Sequence, residues 1–249
     1  MNRAEWVRMM YGNVMDVVAS TIRAGIKAPP GKKLVVCDLG SIESRVLGWM
    51  AGCKRINDIF AQGLDTYKDF ATEFYGISYE EVTKEQRTFC KPPVLGCGYR
   101  LGAAGLVKYA ASMGVEMPGK EAAKAVKTFR LAYWEVDKMW SWFDDAAKDC
   151  VQTGRQHEGH RVILWRDDQF LHIRLPSGRD LHYFQPLVQP RTLTVVDPET
   201  GEERKWETMA VTYMGMDTYT HQWKRISTHG GKLVENIDQA ISRDILAGV

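Results

Sequence analysis

Hydrophobic positions near the N-terminus recur with a helical period. Trp6, Met10, Val14, Val17, Val18 and Ile22 share one face and predict an amphipathic helix over residues 3–24. The turn Pro29-Pro30-Gly31 ends that pattern, and Leu34-Val35-Val36-Cys37-Asp38 reads as a short buried strand closed by an acid. Residues 41–51 return to the helical period, with Ile42, Val46, Trp49 and Met50 on one face. Further helices are predicted around 66–75, 78–91, 101–113, 120–130 and 131–150. Beyond Gly154 the texture changes. Arg161–Trp165 and Phe170–Leu175 read as strands, and Pro176-Ser177-Gly178-Arg179 turns into a third at Leu181–Phe184. Thr192–Val196 and Trp206–Val211 flank Asp197-Pro198-Glu199-Thr200-Gly201, a hairpin signal. A last helix follows Gly230-Gly231, with Leu233, Ile237, Ala240, Ile241 and Ile245 as its stripe. Helices and antiparallel hairpins segregate along the chain, which predicts an α+β fold.

Composition narrows the class. Hydrophobic residues are 45% and charged residues 26% of 249, the profile of a globular chain rather than a collagenous, coiled-coil or disordered one. No apolar run approaches the roughly 20 residues of a membrane helix, and the N-terminus lacks the apolar region of a secretory signal. Five cysteines without a C-x-x-C pair favour free thiols in a reducing compartment. The expectation is a soluble cytoplasmic protein with no membrane partner. Net charge is only +2, but its distribution is uneven. Between Ile56 and Val82 six acids face the single base Lys68, whereas Lys84 to Arg130 holds nine bases against three acids. Such a block is a candidate polyanion footprint or a solvated helical face.

Asp38 ends an apolar strand before a helix, a position that suits a metal-binding carboxylate but, taken alone, is more often that of a turn or capping residue. Its surroundings decide. The run VVCDLGSIESRVLGWMAG resembles motif A of the family A (polymerase I-type) DNA polymerases. Forty-eight residues after Asp38, Gln86-Arg87-Thr88-Phe89-Cys90-Lys91 and Pro92-Pro93-Val94-Leu95-Gly96-Cys97-Gly98-Tyr99 resemble motif B. Arg87, Lys91, Leu95 and Tyr99 recur at intervals of four, along one side of a helix. Two cations one turn apart suit a triphosphate, and an apolar ridge beyond them suits a base pair. Tyr213 to Val249 resembles the stretch leading towards motif C in phage-type members, and LPSGRDLHYF is a further phage-like feature. Gly96-x-Gly98-x-x-x-Gly102 is one residue too long for a dinucleotide fingerprint. His157 and His160, with His172 and His182, could be drawn as a zinc site, although histidines at that spacing in a polar loop are usually solvated.

The resemblance implies a palm with an incomplete antiparallel sheet and helical fingers. Residues 1–83 would carry the N-terminal helix and motif A, 84–150 the fingers with motif B, and 151–249 the hairpins and final helix. It implies nucleotidyl transfer from a dNTP to a primer 3′-hydroxyl by two Mg²⁺ ions. Asp38 matches the carboxylate that bridges both ions, and the carbonyl of Leu39 would add a neutral oxygen. Glu43 matches the glutamate beside the sugar that disfavours a 2′-hydroxyl. Arg87 and Lys91 match the phosphate-binding pair, with Lys91 also placed to protonate the leaving group. Tyr99 matches the tyrosine at the template side of the nascent pair. Gln239 matches a glutamine near the primer–template minor groove, and Arg45 an arginine that supports this region. Leu95 stands where many relatives have Phe or Tyr, Arg100 where Gly is usual, and Glu235 where other branches carry Asn. Pro92-Pro93 predicts a helix that starts near Lys91 or kinks there.

Motif C, the source of the second metal carboxylate, is expected after Asp244 and is not met before Val249. The resulting expectation is a polymerase core fragment, inactive or weak alone, completed by a separate C-terminal fragment that carries motif C. The strand bearing Asp38 would then show an exposed edge. Its partners would be primer–template DNA and dNTPs, in a bacterial or phage-infected cell. The alternative is a catalytically inactive module that binds primer–template or nucleotide.

Overall fold

A computed structural model of the chain describes residues 2–196, 200–218 and 220–248. It comprises two units, Met1–Gly40 and Ser41–Val249. In the first, α1 (Arg3–Tyr11) opens on a reciprocal cap: the Asn2 side chain accepts from the Glu5 N–H at 2.8 Å, and the Glu5 carboxylate accepts from the Asn2 N–H at 2.9 Å. Gly12, at φ 83°, ends α1, and the Asn13 side chain caps the start of α2 (Val14–Gly25). The single helix expected over 3–24 is therefore two, because Gly12 leaves helical backbone space. The strand expected at 34–38 is absent. A strand needs a neighbour for its N–H and C=O groups, and no described strand pairs with these residues. Val35 and Val36 are accordingly 79% and 91% exposed.

The second unit runs α3 (Ile42–Ala51), α4 (Lys54–Ala61), α5 (Thr66–Tyr75), α6 (Lys84–Phe89), α7 (Lys91–Cys97), α8 (Ala103–Ser112), α9 (Gly119–Ala132) and α10 (Trp134–Thr153). Strands β1 (His157–Gly159), β2 (Val162–Arg166), β3 (Phe170–Arg174), β4 (Asp180–Val196), β5 (Glu203–Met216) and β6 (Trp223–Ser227) follow, then α11 (Gly230–Ala247). The strands form one antiparallel sheet in chain order, so the architecture is α+β. The helix expected over 78–91 starts only at Lys84. Thr83 and Gln86 cap it reciprocally, while Glu81 closes a separate turn on the Ser78 N–H and hydroxyl. Leu181–Phe184 and Thr192–Val196 are parts of one long strand, β4, which stays paired with β5 across a bulge between Phe184 and Leu187. Of the predicted turn between them, residues 197–199 lie outside the described residues. The periodicity does not announce α4, β1 or β6.

Directly opposed residues of an antiparallel pair share a face. Leu164, Ile173 and Leu181 align across β2, β3 and β4, and Val188 with Val211 across β4 and β5. This face is the core side, on which Leu164, Leu171, Ile173, Tyr183 and Val211 are buried with Met139, Trp140 and Phe143 of α10. Leu233, Val234, Ile237 and Ile241 of α11 complete the same cluster. Trp165, His172 and His182 align on the opposite face, where Trp165 stacks on His172 at 3.8 Å. Four cysteines are buried and Cys37 is exposed, all as free thiols. No helix among the described residues is long and apolar enough to cross a membrane.

The start of α11 is wedged between two backbone segments. A Cβ on Gly230 would overlap the carbonyl oxygen of Trp140, and one on Gly231 would lie 2.6 Å from the carbonyl oxygen of Tyr99. Only glycine lets backbone approach backbone this closely. Gly230→Ala must push α11 off α10, at a cost of about 3 kcal/mol. Thermal unfolding should register a fall of several degrees, and an unchanged midpoint would refute the wedge.

Candidate functional site

Three segments distant in sequence meet at one phenol. Tyr99 follows the end of α7, Glu43 lies in the first turn of α3, and Asp238 is on the core face of α11. The Tyr99 hydroxyl is 3.1 Å from Glu43 Oε2 and 2.6 Å from Asp238 Oδ2. Gly98 allows this turn to approach α3, since a Cβ there would lie 2.8 Å from Leu47. The Trp140 indole N–H donates to the Gly98 carbonyl at 2.9 Å and fixes the turn against α10.

One hydroxyl proton cannot serve two ionised carboxylates. Asp238 is fully buried, and burial, with the nearby Glu43 charge, pushes its pKa up to about 8 against the opposing hydrogen bonds from Tyr99 and Ser242. At neutral pH Asp238 therefore keeps its proton and donates it to the Tyr99 oxygen, while Tyr99 donates to Glu43. Burial, followed by the two acids, pushes the Tyr99 hydroxyl well up, so it remains a donor throughout. The motif resemblance rests on the neighbouring Gln239 and passes over Asp238, whose signal is that of an acid on the apolar face of an amphipathic helix.

Lys91 and Arg87 occupy successive helices. Cys90 ends α6 and caps α7, and Pro92 and Pro93 fall in the first turn of α7, where missing N–H donors cost nothing. Arg87 Nε donates to Asp65 Oδ2 at 2.7 Å, and its guanidinium lies 5.0 Å from the Tyr67 ring centre. Half-buried Lys91 has no ion-pair or hydrogen-bond partner among the described residues. Leu95 is half-buried and Gln239 exposed. Arg45 lies over the Phe60 ring at 4.2 Å and braces α3 on α4. Asp38 and Leu39 belong to the N-terminal unit, both exposed and in no strand. Hard oxygen donors of this kind suit Mg²⁺, but no group of three or more His, Cys, Asp or Glu residues able to hold a metal occurs among the described residues. The histidines considered for zinc are otherwise engaged: His157 with Asp149, His160 with the Met50 carbonyl, and His172 with Asp167 and His182.

The turn in LPSGRDLHYF has a structural task. Ser177 donates to Asp244 at 2.6 Å and Arg179 Nε at 3.0 Å, tying the β3–β4 turn to the far end of α11. Burial alone would raise the Asp244 carboxyl, but Ser177, Arg179 and Arg243 outweigh it and hold it below its ordinary value.

A profile of DNA polymerase family A matches residues 13–177. The chain is 30% identical to the DNA polymerase of Bacillus phage SP02 over 98% of its own length and 36% of that protein. It is 29% identical to DNA polymerase I of Aquifex aeolicus over 57% of its length, 24% of that enzyme. The DNA polymerase of Bacillus phage SP01 is likewise 29% identical over 47% of the chain, 12% of that protein. The chain belongs to DNA polymerase family A. It spans about a third of the SP02 protein and less of the other two.

The buried acid makes stability depend on pH. Because the folded pKa of Asp238 is raised, its protonation favours the fold fully below about pH 4, and that contribution is lost as pH rises towards 8. Asp238→Asn keeps a donor for Tyr99 and removes the titration. The variant should gain on the unaltered chain between pH 5 and pH 8, by about 5 °C in melting temperature. Parallel melting curves across that range would refute the neutral acid.

Proposed function

We propose that the chain is the nucleotide-binding and sugar-selecting core of a template-directed DNA polymerase, acting in transfer from a dNTP to a primer 3′-hydroxyl. The observation that carries this reading is the Tyr99 hydrogen bond to Glu43, which joins the two family motifs at one point. Held from behind by Tyr99, the Glu43 carboxylate has little freedom to turn away, so a 2′-hydroxyl beside it meets a fixed obstacle. Lys91, without a side-chain partner among the described residues, offers its ammonium to the triphosphate and its Nζ proton to the departing pyrophosphate. Arg87 reaches the same phosphates only by leaving Asp65, and a triphosphate is the stronger competitor for a guanidinium. Leu95 provides the apolar surface for the base pair. Gln239, on the exposed side of the helix that bears Asp238, faces outward for the primer–template. Helices α6–α10 would be the fingers, and the sheet with α3 and α11 would belong to the palm.

The resemblance implies Mg²⁺, and Asp38 with the Leu39 carbonyl is this chain's contribution to holding it. When bound, the ion would neutralise charge on the transferred phosphoryl group. The described residues offer no further carboxylate cluster, so the proposal includes a polypeptide segment that supplies the second acid.

Primer extension is the test, run with residues 1–249 alone and with an added C-terminal polymerase fragment. Lys91→Ala should lower the rate by about 10²–10³, and Asp38→Ala should abolish extension while leaving primer–template binding in place. Glu43→Ala should improve ribonucleotide use by about ten- to a hundredfold. Binding without extension in every combination would instead favour the inactive binding module.

A further inference from the structure

Asp238 is not among the residues that carry the polymerase motifs, yet it lies closer to the Tyr99 phenol than Glu43 does, 2.6 Å against 3.1 Å. Its hydrogen-bond partners among the described residues are Tyr99 and Ser242, the second at 3.4 Å. No lysine or arginine pairs with it among the described residues. An acid sealed between helices without a cation destabilises a fold unless it stays protonated, and an apolar side chain would fill the same place without that penalty. The geometry around the phenol shows what the acid adds.

The groups that act on Asp238 come from three segments. Burial first, and then the charge of Glu43 on α3, favour its protonated form, against the hydrogen bonds of Tyr99 and of Ser242 on α11 itself. Tyr109 of α8 faces Glu43 in turn, and burial followed by that carboxylate raises its hydroxyl. Other polar groups packed on α11 are engaged with one another. Asp144 of α10 accepts from the Gly230 N–H and pairs with Arg100, about 12 Å along the helix from Asp238. Asp244 is taken by Ser177 and Arg179 from the β3–β4 turn, and Tyr183 of β4 accepts from Asn236. Arg45 of α3 lies over the Phe60 ring.

The relay has two states. With its proton, Asp238 donates to the Tyr99 oxygen, and the phenol hydrogen has Glu43 as its acceptor. Without it, Asp238 becomes an acceptor that is both nearer and buried, and it takes the phenol hydrogen. Glu43 then loses its donor and faces a second negative charge. We propose that Asp238 is a positioning residue for sugar selection: by donating to Tyr99 it commits the single phenol proton to Glu43 and so fixes the carboxylate beside the sugar. Asp238 is fully buried and acts only through Tyr99. The proposal deepens the polymerase reading and rests on its assignment of Glu43.

The test is the ratio of ribonucleotide to deoxyribonucleotide insertion in primer extension, using the full chain with an added C-terminal polymerase fragment. The pH dependence of the transfer step is common to both nucleotides and cancels in this ratio. Ribonucleotide use should rise by about tenfold as pH passes about 8, as expected for losing one hydrogen bond to a carboxylate. Asp238→Asn has the same shape and donates to Tyr99 at every pH, so its ratio should stay low and flat. Ser242→Ala removes a donor that favours the ionised acid, so the midpoint of the rise should move to higher pH. Carbon-13 signals of the Asp238 and Glu43 carboxyl carbons should move together at the midpoint of the unaltered chain. A merely structural Asp238 would alter melting temperature or total extension without altering the pH profile of the ratio. A ratio with the same pH profile in Asp238→Asn and the unaltered chain overturns the positioning role and leaves the polymerase reading standing. Extension with a ratio unchanged by Glu43→Ala overturns the sugar assignment, and the role of Asp238 with it. No extension in any combination sinks the polymerase reading and this role together, even with the two carbon signals titrating in step.

Discussion

A phenol has one proton to give, and Tyr99 stands between two acids. That constraint orders the centre of the molecule. If Asp238 were ionised, two carboxylates would compete for one hydrogen bond in a site where Asp238 sees no water, a desolvation that the fold does not sustain. With Asp238 neutral, every group in the chain from Asp238 through Tyr99 to Glu43 has a complementary partner. The arrangement depends on α11 sitting close enough to bring Asp238 within 2.6 Å of the phenol. Gly230 and Gly231 permit that approach, and the Trp140 indole holds the Tyr99 turn from the other side.

Charge that looks segregated in sequence is largely reconciled by folding. The acidic stretch between Ile56 and Val82 is met by arginines: Arg55 binds Asp69 and Glu73, and Arg87 binds Asp65. Partly exposed pairs of this kind contribute little to stability, but they define which cations remain unmatched. Among the described residues, Lys91 at the start of α7, and Lys148 and Arg204 beneath the hairpin, are left without ion pairs. A cation that folding has not satisfied, beside donors that folding has also left free, is a better guide to anion binding than a count of bases along the chain.

The legible parts of the fold are those specified locally. Helical stripes located α5 and α8–α11, and of the two outcomes that Pro92-Pro93 left open, a start near Lys91 or a kink there, the structure shows the start. The alternating texture beyond Gly154 announced a sheet, although β4 crosses its bulge unbroken because β3 pairs with it before the bulge and β5 from Phe184 onwards. The failures required knowledge of partners. Leu34–Asp38 has strand chemistry and no strand beside it. The helix near the N-terminus has unbroken periodicity, but Gly12 and Asn13 divide it. At the site, the motif pattern pointed to Glu43 and Tyr99 separately, while their hydrogen bond and the buried acid behind them depend on tertiary packing that no spacing expresses.

The hairpin region is more than an appendage to the helices that carry the motifs. Its β3–β4 turn grips Asp244 through Ser177 and Arg179, and this fixes the C-terminal half of α11. The glycine wedge fixes the N-terminal half, and Asp238 lies between the two anchors. A helix held at both ends cannot rotate its middle, so the distance from Asp238 to Tyr99 is set by contacts more than a turn away in either direction. The sheet thus helps to hold Glu43 through three intermediates: the turn, the helix and the phenol. Changes in the β3–β4 turn should consequently be felt at the Tyr99–Glu43 hydrogen bond as well as in stability, because the Glu43 carboxylate is held only as firmly as the helix behind Tyr99.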